Sequence, residues 1–286
     1  MPTSSPPPLQ PQNVYWDEVA GPMWVRHQAQ LDRSLAEFGE RALERLSPER
    51  GEAIVDVGCG CGATSLSLAR SVGSQGRVLG IDVSGPMLDR ARERVREAAL
   101  SHVSFLQADA ETHLLPVSHY DALFSRFGIM FFQDPEAAFT NLKRGLRPGG
   151  RLVAICWRAV DENPWLSAPM GAVRQHLNLG PPPEPHAPGP FAFAEPERLF
   201  KVLTRAGFRE VALEAIDGEM VLAGGESLEE VIQFFLEHGA VKAHFLEQPA
   251  QVQARVIDSL RSTLEPHAGP RGVVSSAAAW IVHALA

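Results

Sequence analysis

The chain has 286 residues, 45% of them hydrophobic, with 26 basic against 34 acidic side chains and a formal net charge of −8. That length holds one sizeable α/β domain with additions, and the apolar content is ample for its core. The acidic balance and scattered arginines argue against a nucleic-acid partner, and no run of 18 or more apolar residues is present to span a membrane. The first eleven residues contain five prolines and two serines without an apolar segment. Residues 1–12 therefore read as a disordered leader and not as a signal peptide, and the cytoplasm is the expected compartment.

Residues 13–46 open with Tyr15, Trp16 and Trp24 and continue with Leu31, Leu35, Phe38, Ala42 and Leu46, spaced as one apolar helical face. They are expected to form a helical cap. The apolar run Ala53-Ile-Val-Asp-Val57 then reads as a strand, Gly58-Cys-Gly-Cys-Gly62 as a tight turn, and the residues from Thr64 onward as a helix. Glycine at 58, 60 and 62 permits φ > 0 and lets a ligand touch bare backbone, while the helix start offers unpaired N–H groups. Gly58, Gly60 and Ala63, with Asp82 downstream, also satisfy the degenerate dinucleotide fingerprint. Asp56 discriminates, because a carboxylate at the strand tip repels a pyrophosphate but suits a ligand carrying an ammonium and a sulfonium. That ligand is S-adenosylmethionine.

A second strand, Arg77-Val-Leu-Gly-Ile-Asp82, ends in an acid able to accept two ribose hydroxyls, and Ser84 is a suitable N-cap for a helix over 85–99. A third, Val103-Ser-Phe-Leu-Gln107, leads to Ala108-Asp109-Ala110, where the acid can accept a hydrogen bond from an exocyclic adenine amine. The fourth, residues 120–125, is followed by Arg126-Phe127-Gly128, expected to approach the adenine ring. Asp134-Pro135 opens a helix and Pro148-Gly149-Gly150 stops it before a fifth strand over 151–157.

Four blocks, Val55-Asp-Val-Gly-Cys-Gly-Cys-Gly62, Gly80-Ile-Asp-Val-Ser84, Gln107-Ala-Asp-Ala110 and Leu142-Lys-Arg-Gly-Leu-Arg-Pro-Gly-Gly-Arg-Leu152, occur in the order and spacing of one superfamily. The chain resembles the class I S-adenosylmethionine-dependent methyltransferases of small molecules, with a core similar to those of ubiquinone and menaquinone biosynthesis and of natural-product pathways. The resemblance covers roughly residues 45–158. It implies a Rossmann-like, seven-stranded, mostly parallel sheet with helices on both faces. It also implies that Gly58 and Gly60 line the methionine part, that Asp82 binds ribose, and that Asp109 and Ala110 meet adenine. Asp56, Cys59, Val83, Met87 and Arg126 complete the expected cofactor contacts.

Beyond the core at 47–158, a region over 159–225 holds a helix at 163–177, a proline-rich loop at 179–190, a helix at 195–207, and a sixth strand at 209–215 with a hairpin partner at 219–222. Helices at 227–244 and 251–264 read as an insertion over 226–266, serving as a substrate cap or a homodimer seam. Residues 267–286 carry the final strand, over 277–284, expected to slot back antiparallel between its neighbours. The C-x-C spacing of Cys59 and Cys61 lacks a second pair, which argues against zinc, and a reducing compartment argues against a disulfide.

Methyl transfer from a sulfonium needs alignment and exclusion of water more than acid or base work. For a phenol or alcohol acceptor, His27, His176, His186, His238 and His244 are candidate bases, and none is singled out. Phe131, Phe132, Trp157 and Trp165 can either wall an apolar or aromatic acceptor or pack the core. A protein of the same fold that binds S-adenosylmethionine without transferring methyl, and a nicotinamide-nucleotide oxidoreductase, are the alternatives.

Overall fold

The computed structural model describes residues 12–237 and 239–286. The expected leader, apart from its last residue, and His238 lie outside the described residues. The chain begins with a broken helical run: α1 (Gln12–Val14), a π-helical turn (Tyr15–Ala20), α2 (Gly21–Arg26), α3 (Gln28–Ser34) and α4 (Ala36–Leu46). Leu31, Leu35, Phe38, Ala42 and Leu46 are all buried, so the apolar stripe is the face that meets the core.

The α/β core follows as β1 (Ala53–Val57), α5 (Ala63–Val72), β2 (Arg77–Asp82), α6 (Gly85–Glu97), β3 (Val103–Gln107), β4 (Tyr120–Arg126), α7 (Pro135–Gly145) and β5 (Leu146–Trp157). Then come α8 (Pro164–Arg174), α9 (Pro196–Arg205), β6 (Arg209–Val221), α10 (Leu228–Leu236), α11 (Gly239–Leu246), α12 (Ala250–Leu264), the two-residue β7 (Ala268–Gly269) and β8 (Gly272–Leu285). Helices α6 to α9 each carry proline in the first turn, where its missing N–H costs nothing. Asp134 and Ser84 cap α7 and α6 by accepting from Ala137 N and Met87 N.

The main sheet has the order β3-β2-β1-β4-β5-β8-β6, and off this path β7 pairs with β8. Strands β1 to β5 run parallel, and β8 runs antiparallel between β5 and β6. The seven-stranded Rossmann-like sheet and its inserted last strand are therefore present. The order reverses between β1 and β4, the switch point outside which open α/β sheets bind ligands.

Two local expectations are corrected. The hairpin at 209–222 does not form: β6 runs unbroken through Gly218, which pairs with Ala277 of β8. Gly218 serves a close approach and not a turn, since a Cβ there would lie 3.1 Å from both Glu37 Oε1 and Phe38 Cζ of α4. The helix expected over 227–244 is two helices, α10 and α11, the second starting at Gly239, a poor helix former.

Trp157, the last residue of β5, pairs with Ala279, which pairs with Ile216, yet β6 continues to Val221. The β6–β8 ribbon thus overhangs the carboxyl edge by five residues, about 17 Å. The cap leans on this overhang through Ser34 Oγ donating to Val221 O (2.7 Å) and Arg33 Nε donating to Gly224 O (2.7 Å). No helix of the described residues is long and apolar enough to cross a membrane.

Asn163 fastens β8 from the other side. Its side chain has no solvent exposure. Nδ2 donates to Ala278 O (3.0 Å) and Ala159 O (3.0 Å), while Oδ1 accepts from Ala278 N (2.9 Å) and Trp165 Nε1 (2.9 Å). Asn163→Ala leaves several buried polar groups unpaired, and a loss of roughly 3 kcal/mol in unfolding free energy is expected. Urea denaturation of the two proteins measures it; an unchanged midpoint would mean that water replaces the amide without penalty.

Candidate active site

Gly58, Gly60 and Gly62 all have positive φ (68°, 52° and 79°), and the turn is tied to β2 by Gly58 N and Cys59 N donating to Ile81 O at 2.8 and 3.1 Å. Glycine is also demanded by space. A Cβ at 58 would lie 2.8 Å from Gly128 Cα, and one at 60 would lie 2.8 Å from Met87 Cε. The turns after β1 and β4 therefore touch backbone to backbone, and Met87 of α6 packs its methyl on the glycine turn.

Asp56 has no solvent exposure. Its Oδ2 accepts from Thr64 Oγ1 (2.7 Å) and Ser65 Oγ (2.6 Å), in the first turn of α5, while Oδ1 is buried without a hydrogen-bond partner. Burial pushes its pKa up to about 6. Asp82, half-buried, accepts from Gly60 N (2.8 Å) and Ser84 N (2.9 Å), and desolvation raises it as well. Beside it Val83 O accepts from Gln107 Nε2 at 3.1 Å, linking the tips of β2 and β3. Asp109 is exposed and forms a turn by accepting from Glu111 N at 2.9 Å; Ala110 is buried and its carbonyl accepts from Asn141 Nδ2 at 3.3 Å.

Asp56, Gly58, Cys59, Gly60, Asp82 and Met87 thus form one connected turn. Asp109 and Ala110 stand one strand further out, joined to it through the Gln107–Val83 contact. Arg126 closes β4 and does not belong to the loop after it; its side chain runs along α4, where a Cβ on Gly39 would lie 3.1 Å from Arg126 Cδ.

Three charged residues at this edge were not singled out from the sequence. Asp17, on the π-helical turn, accepts from Gly85 N (2.7 Å) at the start of α6. Asp32 of α3 lies 2.9 Å from Arg94 and 3.6 Å from Arg126, and Arg94 also donates to Cys61 O at 2.7 Å. These ion pairs join residues some 60 to 95 positions apart and leave no local pattern. One signal was available: Gly21 interrupts a helical stretch, and a Cβ there would lie 2.2 Å from Ser84 Oγ, so the cap needs glycine to dock on the β2–α6 connection.

The aromatic residues divide into two groups. Phe127, with φ of 60°, stacks on Trp157 at 4.0 Å, Phe38 lies edge-on to Trp157 at 5.2 Å, and Phe132 packs on Phe139 at 5.7 Å. Trp16, Trp24, Phe131 and Trp165 are only half-buried; Trp16 meets Phe131 at 4.9 Å and Trp24 at 5.6 Å. His27 has both ring nitrogens within hydrogen-bond distance of oxygens, Nδ1 at 3.0 Å from Gln30 Oε1 and Nε2 at 3.0 Å from Glu237 Oε2, so neither is free to take an acceptor's proton in this arrangement. His176 is engaged with Ser259 Oγ at 2.7 Å, and His186 lies 3.9 Å from Glu195. The three cysteines are buried, unpaired thiols; burial pushes Cys61 up to about 12 and raises Cys59 and Cys156 too, which keeps them protonated and unreactive. Among the described residues no group of His, Cys, Asp or Glu is arranged to hold a metal ion.

Residues 54–150 match the family model described as a methyltransferase domain, and these bounds enclose the glycine turn and the tips of β1 to β4. They form a class I S-adenosylmethionine-dependent methyltransferase domain. The chain is 35% identical over 125 residues to aklanonic acid methyltransferase DauC of Streptomyces sp. (strain C5), which covers 42% of this chain and 57% of that protein. It is 33% identical over 107 residues to ubiquinone/menaquinone biosynthesis C-methyltransferase UbiE of Serratia proteamaculans, covering 37% and 43%. The chain spans about half the length of the curated relatives it matches. Among solved structures, the YcgJ protein of Bacillus subtilis shares the fold at a TM-score of 0.54 and 16% identity, covering 88% of this chain and 97% of that one.

The methyltransferase domain fits its cofactor where the geometry is most demanding. A buried carboxylate oxygen without a donor stands beside a turn that has no Cβ atoms to hinder a ligand. Because the Asp56 pKa is raised by folding, the stability contributed by its protonated form is complete below the pH at which a free carboxyl ionises and is lost as pH rises through about 6. Asp56→Asn is expected to be the more stable protein at pH 8 by up to ~3 kcal/mol, with no such gain at pH 4. Urea denaturation at both pH values tests this, and parallel pH profiles would show that Asp56 ionises like a surface acid.

Proposed function

We propose that the chain transfers a methyl group from S-adenosylmethionine to the oxygen, nitrogen or carbon of a small, apolar or aromatic metabolite. The observation that carries this reading is the unpaired Asp56 Oδ1 at the glycine turn, with Asp82 and Asp109 at the next two strand tips. The cofactor supplies an activated methyl on a sulfonium. The residues of the chain bind, orient and desolvate.

In this reading Asp56 Oδ1 accepts from the methionyl ammonium, and Gly58 and Gly60 let that group lie on backbone. Asp82 accepts from Gly60 N and Ser84 N, and its remaining acceptor capacity takes ribose hydroxyls. Val83, Asp109 and Ala110 border the adenine, Cys59 contributes backbone, and Met87 holds Gly60 in place. Trp16, Trp24, Phe131 and Trp165 present π faces or edges that suit a flat acceptor and attract a sulfonium. Residues 13–46 act as the cap, 47–158 as the cofactor core, 159–225 and 226–266 as the acceptor side, and 267–286 as the strand that completes the sheet. The relatives named for aklanonic acid and for ubiquinone and menaquinone biosynthesis support a small-molecule acceptor, and pathways of natural-product synthesis are the first place to look for one.

Calorimetric titration with S-adenosylhomocysteine and with NAD, on the wild type and Asp82→Ala, tests the reading. The homocysteine product is expected to bind with a Kd on the order of micromolar, to weaken at least about thirtyfold in the variant, and to outcompete NAD. Affinity should also fall as pH drops below about 6, where Asp56 takes up a proton. Preferential NAD binding would overturn the cofactor. Tight product binding with no methyl transfer to any phenol, amine, carboxylic acid or polyketide-like acceptor would instead favour a binding protein of the same fold.

A further inference from the structure

Two arginines face the glycine turn from the cap side, and they are unequally satisfied. Arg94 is fully engaged, with Cys61 O at 2.7 Å and Asp32 Oδ2 at 2.9 Å. Arg126 is the more enclosed of the two, its side chain 13% exposed against 18% for Arg94, but the contact the structure gives its guanidinium is Asp32 Oδ1 at 3.6 Å. That distance is too long for a hydrogen bond, and a guanidinium carries five N–H donors. One carboxylate is shared between two cations, and it stands within hydrogen-bond distance of Arg94 but not of Arg126.

The position of Arg126 gives that imbalance a direction. Asp56 pairs in register with Phe124, and Arg126 lies two residues further along β4, so Asp56, Phe124 and Arg126 share one face of the sheet. The Cα atoms of 56 and 126 are about 8 Å apart on strand geometry, with the glycine turn above them. An unpaired buried acceptor and a half-buried cation held only by a long ion pair therefore stand on one face of neighbouring strands. A ligand group that matches both carries an ammonium and a carboxylate on adjacent atoms.

We infer that Arg126 is the specificity-determining residue that receives the α-carboxylate of the methionyl group, so that the site selects adenosyl ligands bearing a complete amino-acid zwitterion. This rests on the cofactor reading proposed above and assigns to Arg126 the methionine end of the ligand in place of its adenine end. A planar guanidinium binds a carboxylate through two parallel hydrogen bonds, which a point cation cannot reproduce. Asp32 is then a positioning residue that holds the guanidinium along α4 without saturating it.

The test is calorimetric titration of the full chain with three ligands: S-adenosylhomocysteine, its decarboxylated analogue, and 5′-methylthioadenosine, which lacks the amino-acid group altogether. The wild type is expected to bind the first at least about a hundredfold more tightly than the third, with the decarboxylated analogue far weaker than its parent. Arg126→Gln should weaken S-adenosylhomocysteine about ten- to hundredfold while leaving both carboxylate-free ligands within about twofold, so that the discrimination collapses. Arg126→Lys, which keeps the charge and preserves folding if glutamine does not, should fall between the two. An equal loss for all three ligands would assign Arg126 a purely structural role, and an unchanged preference would place the carboxylate elsewhere; either overturns the inference. A wild type that binds none of the three removes the cofactor reading itself, an outcome distinct from both.

Discussion

A carboxylate without access to water stands where β1 turns into α5, and the geometry of the whole carboxyl edge depends on it. Asp56 holds the first turn of α5 through Thr64 and Ser65. With strand and helix fastened there, the intervening glycines have little freedom left, and positive φ at three of five residues follows from the short span they must bridge. The turn in turn sets where Gly128 can sit, since the two backbones meet with no room for a methyl group. An ionised group buried at this point is costly, and its pKa of about 6 expresses that cost. A hydrophobic residue of the same size would make a better core and a worse site.

The elements outside the core close over this edge from two sides. The cap reaches it with two acids, Asp17 on the start of α6 and Asp32 between Arg94 and Arg126, while its apolar stripe packs below. The overhanging β6–β8 ribbon gives the cap a wall to lean on through Ser34 and Arg33. On the far side Asn163 joins β8 to the start of α8, which packs against α12. Apart from the Asp32 ion pairs, these closures join one side chain to a backbone carbonyl or amide, so the placement depends on main-chain geometry on one side of each contact.

Much of this was legible from local pattern. β1 and β3 begin and end where their apolar runs meet glycine or polar residues, and the cap helices reveal themselves by a single stripe of five buried side chains. The glycine positions announce a strained turn because no other residue takes φ > 0 without cost. What escaped depends on partners distant in sequence. Gly218 reads as a turn residue until Phe38, 180 positions earlier, is seen to occupy the space a side chain would need. Asp32 is a single acid on the short helix α3 with no local pattern to mark it, and only the fold brings it to Arg94 and Arg126. The Arg126 side chain follows α4 because Gly39 leaves a groove there, a fact carried by a residue that sequence alone gives no reason to notice.

The position of β8 bears on how the chain is made. Among the described residues β6 pairs only with β8, and β8 lies in the interior of the sheet, between β5 and β6. During synthesis β1 to β5 can pair as each emerges, since their partners have already left the ribosome. β6 must wait some fifty residues for β8, and until then the edge of β5 and the whole of β6 remain open templates for strand addition. The acids spread along β6, with Glu210, Glu214, Asp217 and Glu219 exposed in the finished fold, keep that waiting strand charged and discourage it from pairing with another chain.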